Sequence, residues 1–107
     1  MESEKHTERY LVKQVRALGG LCIKWVSESN RGVPDRICLL PNGIIRFVEV
    51  KSEGEEPSPL QQHVIKNLRN LGFIVEVLDT KAKVDFFLCS IYKMEVLHDL
   101  SRVLQYP

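Results

Sequence analysis

The sequence predicts an α/β fold: a mixed central sheet flanked by helices, with elements in the order α-β-β-β-α-β-α. Three observations predict it. Two segments carry apolar residues at helical spacing and stop at glycine, four short runs are rich in β-forming residues, and one of the helices separates the third run from the fourth. The chain has 107 residues. That length suits one core and is too short for two, so residues 1–107 are read as a single domain.

The first helix is expected over about residues 4–18, where Leu11, Val15 and Leu18 share a stripe and Gly19-Gly20 supplies the stop. Glu8 stands three and seven positions before Leu11 and Val15, so its carboxylate falls on the inward stripe. LCIKWV, residues 21–26, reads as a strand, and SESNRG after it as a loop. A second strand is expected from about Asp35 to Leu40. Pro41, Asn42 and Gly43 follow with the preferences of a type I turn closed by a left-handed glycine, and IIRFVEVK, residues 44–51, is the return strand. Both hairpin strands are apolar at most positions of both parities, which predicts cover on both faces.

SEGEEPSP, residues 52–59, is a polar loop. Ser58-Pro59 then gives an N-cap and first-turn proline to a helix with Leu60, Val64, Leu68 and Leu71 as its apolar stripe and Gly72 as its stop. FIVEVL, residues 73–78, is the last strand; the intervening helix makes it a parallel partner of strand 44–51. The tail, 80–107, is helical by pattern, with Val84, Phe87, Leu88, Ile91, Met94, Leu97, Leu100, Val103 and Leu104 as apolar positions. The spacing leaves open whether it is one helix or two.

Hydrophobic residues make up 44% and charged residues 27%, which excludes a disordered or collagen-like chain. The formal net charge is +1, so a polyanionic partner would have to be met by a local patch and not by an overall field. Cys22, Cys38 and Cys89 lie in apolar runs without CxxC spacing, which fits buried thiols in a reducing compartment better than disulfides or zinc. No run approaches the roughly 20 apolar residues of a membrane span, and the charged start MESEKHTERY is unlike a signal peptide. A soluble intracellular protein is expected.

The turn fixes the register. With Pro41, Asn42 and Gly43 as a three-residue loop, Leu40 pairs with Ile44, and counting back places Asp35 opposite Glu49, their Cβ atoms roughly 4.5–5.5 Å apart. Lys51, two residues beyond Glu49, projects from the same face. Facing carboxylates repel, and a hard divalent cation such as Mg²⁺ or Mn²⁺ held by oxygen ligands offsets the repulsion. Glu8 is a candidate third carboxylate. Lys51 is then placed to orient or deprotonate a water, or to stabilise charge that develops in the transition state. Metal-assisted phosphodiester hydrolysis is the chemistry this combination implies. Any one of these charges alone reads equally well as a solvated strand end; the weight lies in their convergence.

PD at 34–35 and EVK at 49–51 resemble the two signature pieces of the PD-(D/E)XK nuclease superfamily. RGVPDRI, FVEVK and SPLQQ resemble, more narrowly, the VRR-NUC family of virus-type replication and repair nuclease domains in its short stand-alone form, over about residues 4–79. The resemblance implies a restriction-endonuclease-like core, with Asp35, Glu49 and the Val50 carbonyl as metal ligands. It also implies Lys51 as the catalytic lysine, Glu8 as the acid of the first helix and Gln61 as the glutamine of the helix after the motif. Ser58 to Gln61 is also S-x-x-Q, a capping box, so Gln61 has two readings. His63 reads as a surface residue.

For function the resemblance implies a Mg²⁺- or Mn²⁺-dependent DNA endonuclease of repair, similar to Holliday-junction resolvases, acting as a homodimer on four-way junctions in the cytoplasm of a bacterial or phage-infected host cell. Arg31 and Arg36, flanking Asp35, are the candidate DNA contacts. Trp25 reads as core in preference to a base-stacking platform. The alternatives are a flap, end or duplex nuclease, and a noncatalytic DNA-binding module. A two-fold junction cut on two strands calls for two sites related by a two-fold axis, and one chain supplies one.

Overall fold

A computed structural model of the chain describes residues 1–105, with side chains as far as Lys93. The elements are α1 (Glu4–Ala17), β1 (Leu21–Lys24), β2 (Arg36–Leu40), β3 (Ile44–Val50), α2 (Pro59–Asn70), β4 (Val75–Leu78) and α3 (Lys81–Gln105). The sheet order is β1-β2-β3-β4. The first three strands are antiparallel, and β4 joins β3 in parallel, as a helical crossover requires. The expected mixed sheet with flanking helices is the architecture found.

Leu40 pairs with Ile44 and Arg36 with Val48, the register that a three-residue loop dictates. The turn itself departs from type I. Asn42 (φ 68°) and Gly43 (φ 74°) are both left-handed, whereas the third residue of a type I turn has φ near −90°. Asparagine and glycine tolerate that region, and loop length, not turn type, sets the pairing.

One sheet face holds the core. Cys38, Leu40, Val48, Val50 and Leu78 pack beneath Leu11 and Val15 of α1 and beneath Val84, Phe87, Leu88 and Ile91 of α3. Each fully buried aliphatic side chain contributes about 1.5–3 kcal/mol relative to exposure. Ser3 caps α1, accepting from the His6 amide at 3.2 Å, and the Thr80 hydroxyl accepts from the Lys83 amide at 3.2 Å at the start of α3. The tail is one helix, so the open choice between one and two is decided. The side chains of Met94, Leu97, Leu100, Val103 and Leu104 lie outside the described residues.

The second sheet face is only half covered, which corrects the expectation of a hairpin buried on both sides. α2 packs on β4, burying Ile65 and Val75, while Leu21, Ile23 and Ile45 remain 61%, 45% and 46% exposed. The apolar stripe expected for α2 is likewise displaced: Leu60 and Leu71 are exposed and Val64 and Leu68 half-buried. The reason is that α2 leans toward the loop after β1, so this stripe meets loop residues instead of the sheet. Trp25 sits in that region, half-buried against Phe47 at 5.3 Å between ring centroids, and Phe73 closes on Phe47 edge-on. Of the cysteines, Cys38 is buried, Cys22 half-buried and Cys89 exposed, so the buried-thiol expectation fails for Cys89, which α3 turns away from the core.

Candidate active site

Asp35 is delivered by the loop between β1 and β2. Gly32 has φ +84°, and a Cβ there would meet Leu60 Cγ at 3.0 Å and Val64 Cγ2 at 3.2 Å, so any other residue at this position would be strained and would crowd the loop against α2. Pro34 is fully buried behind it. The Asp35 carbonyl accepts from the Trp25 amide at 2.8 Å, extending the β1-β2 ladder by one rung. Its side-chain Oδ2 accepts from the Val50 amide at 2.9 Å. Asp35 is thereby tied to the residue between Glu49 and Lys51.

Glu49 is 1% exposed, and its Oε1 has no hydrogen-bond partner among the described residues. Its Oε2 lies 3.3 Å from the Lys51 ammonium, which also approaches Glu55 at 3.6 Å. Burial first, and the Asp35 charge second, push the Glu49 carboxyl up to about 7, against the opposing pull of Lys51. Burial alone would lower the Lys51 ammonium, but the hydrogen bond to Glu49 and the charges of Glu49, Glu55 and Glu4 outweigh it and leave its pKa raised. Lys51 is therefore a cation at neutral pH.

The structure brings together Asp35, Glu49, Val50 and Lys51. It places Glu8 elsewhere: its Oε2 accepts from Arg36 Nε at 2.8 Å, and Arg36 also donates to the Cys22 carbonyl at 3.3 Å. Glu8 and Arg36, expected as a site acid and a DNA contact, hold each other. Among the described residues no three His, Cys, Asp or Glu side chains converge as a metal-ligand set. Gln61 makes both bonds of the capping box: its Oε1 accepts from the Ser58 amide at 2.9 Å, and its own amide donates to the Ser58 hydroxyl at 3.2 Å. Arg31 is exposed on the rim of a cleft of about 590 Å³ that also includes Trp25 and Leu60.

Two supporting residues escaped the sequence reading. Glu4 feels the charges of Asp35 and Lys51, and burial and then Asp35 raise its carboxyl pKa. Its signal was available, since Glu4 precedes Glu8 by one helical turn on the same face. Asp79, at the end of β4, accepts from the Gly54 amide at 2.8 Å and pairs with Lys83 at 2.8 Å, holding the loop that follows Lys51. No local pattern announces that contact across 25 residues.

Two acids and a lysine at one end of a central hairpin, on a mixed sheet flanked by helices, define a nuclease core of the PD-(D/E)XK type. The comparisons narrow this further. The VRR-NUC domain family matches residues 3–82. A phage protein named "Putative nuclease p44", from Acyrthosiphon pisum secondary endosymbiont phage 1, is 49% identical over 78 residues, covering 73% of this chain and 84% of its own. A solved VRR_NUC domain superposes with a TM-score of 0.77 at 34% identity, over 82% of this chain and 96% of that one. The chain belongs to the VRR-NUC family of nucleases.

Proposed function

We propose that this nuclease is a metal-dependent endonuclease that hydrolyses phosphodiester bonds in structured DNA, four-way junctions foremost, and works as a homodimer. The observation that carries the metal dependence is the buried Glu49 carboxylate, one oxygen of which has no hydrogen-bond partner among the described residues, set beside the Asp35 charge. Such a pair costs stability unless a cation offsets it, and hard oxygen donors suit Mg²⁺ or Mn²⁺. Asp35, Glu49 and the Val50 carbonyl would hold the ion, which when bound would supply an activated water and a Lewis acid for the phosphate. Lys51, held by Glu49 and Glu55 and kept protonated, places a fixed positive charge where the pentacovalent phosphate gathers negative charge. A role as general base for Lys51 is disfavoured by the same raised pKa.

The half-covered sheet face supports self-association, because Leu21, Ile23 and Ile45 leave an apolar surface beside the edge strand β1. A second copy would give the two sites that a two-strand cut needs. The phage relative fits action in the cytoplasm of an infected host.

The test is incubation with labelled four-way-junction, flap and linear duplex DNA in Mg²⁺ or Mn²⁺, beside Lys51→Ala and a chelator control. Symmetric nicks across the junction, lost in both controls, are the expected result. Cutting of flap or duplex alone would keep the mechanism and change the substrate, and binding without any metal-dependent cutting would leave a DNA-binding module.

A further inference from the structure

The net charge of +1 hides a strongly asymmetric surface. A groove of about 700 Å³ runs along the flank of α1, lined by Lys5, Glu8, Arg9, Lys13, Arg16 and, from β2, Arg36. It holds five cations and one carboxylate, so the remainder of the chain is net acidic. The carboxylate is already spent on Arg36 at 2.8 Å. Lys5, Arg9, Lys13 and Arg16 are all exposed, and none makes an ion pair among the described residues. A helix face that only needed solvation would gain a few tenths of a kcal/mol per pair by placing acids four residues from these bases. This face instead stacks like charges one turn apart at 5, 9 and 13, an arrangement that costs folding energy unless an anion meets it.

The groove adjoins the site along the chain at two places. Arg36 directly follows Asp35, and Glu4, within reach of the Asp35 and Lys51 charges, directly precedes Lys5. From Lys5 to Arg16 the helix rises about 16 Å at 1.5 Å per residue. At about 3.4 Å of axis per phosphate on one strand, that row faces roughly five phosphates. We infer that this exposed basic flank of α1 is the track for the DNA arm flanking the scissile phosphate, with Lys5, Arg9, Lys13 and Arg16 as its phosphate contacts. Sequence-independent backbone contact is the kind of recognition that such a row provides, since none of its members is fixed against a partner that would aim it at a base edge. The Glu8–Arg36 pair forms the wall of the track nearest the site and holds α1 against β2 at that end.

This rests on the nuclease reading above. Its test is the salt dependence of binding to a duplex-armed junction, measured by fluorescence anisotropy in chelator so that no cutting intervenes. The double variant Lys13→Gln/Arg16→Gln is compared with wild type and with Lys66→Gln/Lys93→Gln, which removes the same charge away from the groove. The two groove positions are exposed and distant from Asp35 and Lys51 in sequence, and thermal melts verify that all three proteins remain folded. Each lost phosphate contact lowers the slope of log K against log[salt] by about 0.9, so the groove variant should lose about 1.8 while the control stays within error of wild type. Equal slopes for the groove variant and wild type, with wild-type binding intact, would overturn the track and leave the nuclease reading standing. An equal loss in the control variant would overturn it too, by showing diffuse attraction. Wild type that neither binds nor cuts any DNA would sink both.

Discussion

Glu49 has neighbours that pull its proton in opposite directions, and burial decides between them. Its folded-state pKa stands near 7 against an ordinary value of 4.5, so between those limits the folded chain binds more protons than the unfolded one. Stability then falls as pH rises through that window, and the full cost is present above it. In metal-free protein Glu49→Gln removes the fall: at pH 8 the variant should be more stable than wild type by about 1–3 kcal/mol, and at pH 4.5 nearly equal, as read by urea denaturation in chelator. A constant gap at both pH values would show that the carboxyl is not strained. The two acids of α1 divide the work. Glu8→Gln breaks a half-buried charged bond to Arg36 and should destabilise by about 1–2 kcal/mol. Glu4→Gln, with no such bond among the described residues, should leave the melting curve nearly unchanged yet slow cutting, because its carboxylate interacts with the charges of Asp35 and Lys51. Glu8, expected on the inward stripe, lies half-buried at the edge of the face that Thr7, Leu11 and Val15 bury, and the partner it finds there depends on where β2 carries Arg36.

At the scale of elements, the hairpin turn and the α2 cap are the local devices that aim the site. A Cβ at Gly43 would meet nothing within 4 Å, so the cost of Gly43→Val is conformational alone, about 1–2 kcal/mol from φ +74°. Asparagine there should cost less than half of that, and equal losses in the two variants would point to a steric origin instead. The capping box offers a separate check. Ser58→Ala and Gln61→Ala should each cost about 1 kcal/mol of stability, and a loss of cutting in Gln61→Ala well beyond that in Ser58→Ala would give Gln61 a role in the site as well. The register was legible from Pro41-Asn42-Gly43 because loop length alone fixes which residues pair. The turn type was not, since a proline-led turn and a left-handed Asn-Gly pair share the same residues. The stripe of α2 was misjudged for a related reason: periodicity says which residues share a face, and not what that face meets.

On the scale of the whole molecule, one sheet face is sealed by α1 and α3 and the other is half open. If that open face joins two copies, Ile23→Lys should convert a dimer to a monomer in sedimentation equilibrium while leaving the melting temperature within a few degrees, because Ile23 is already 45% exposed. An unchanged mass would move the interface elsewhere, and the C-terminal end of α3 would be the next region to alter. The basic row of α1 concentrates positive charge on one helix face, which gives a chain of net charge +1 a directed field.

The sequence by itself determined the order of the elements, the hairpin register and the company of Asp35, Glu49 and Lys51. Those follow from interactions between near neighbours: periodicity, caps, turn length and the strict alternation of strand faces. The tertiary structure decided the rest. That Glu8 goes to Arg36, that Glu4 feels the charges of Asp35 and Lys51, that Asp79 holds the loop after Lys51, and that one sheet face stays open all depend on how separately formed elements dock. Docking is set by the packing of surfaces far apart in the chain, and a one-dimensional pattern carries the face of each element but not the partner it will meet.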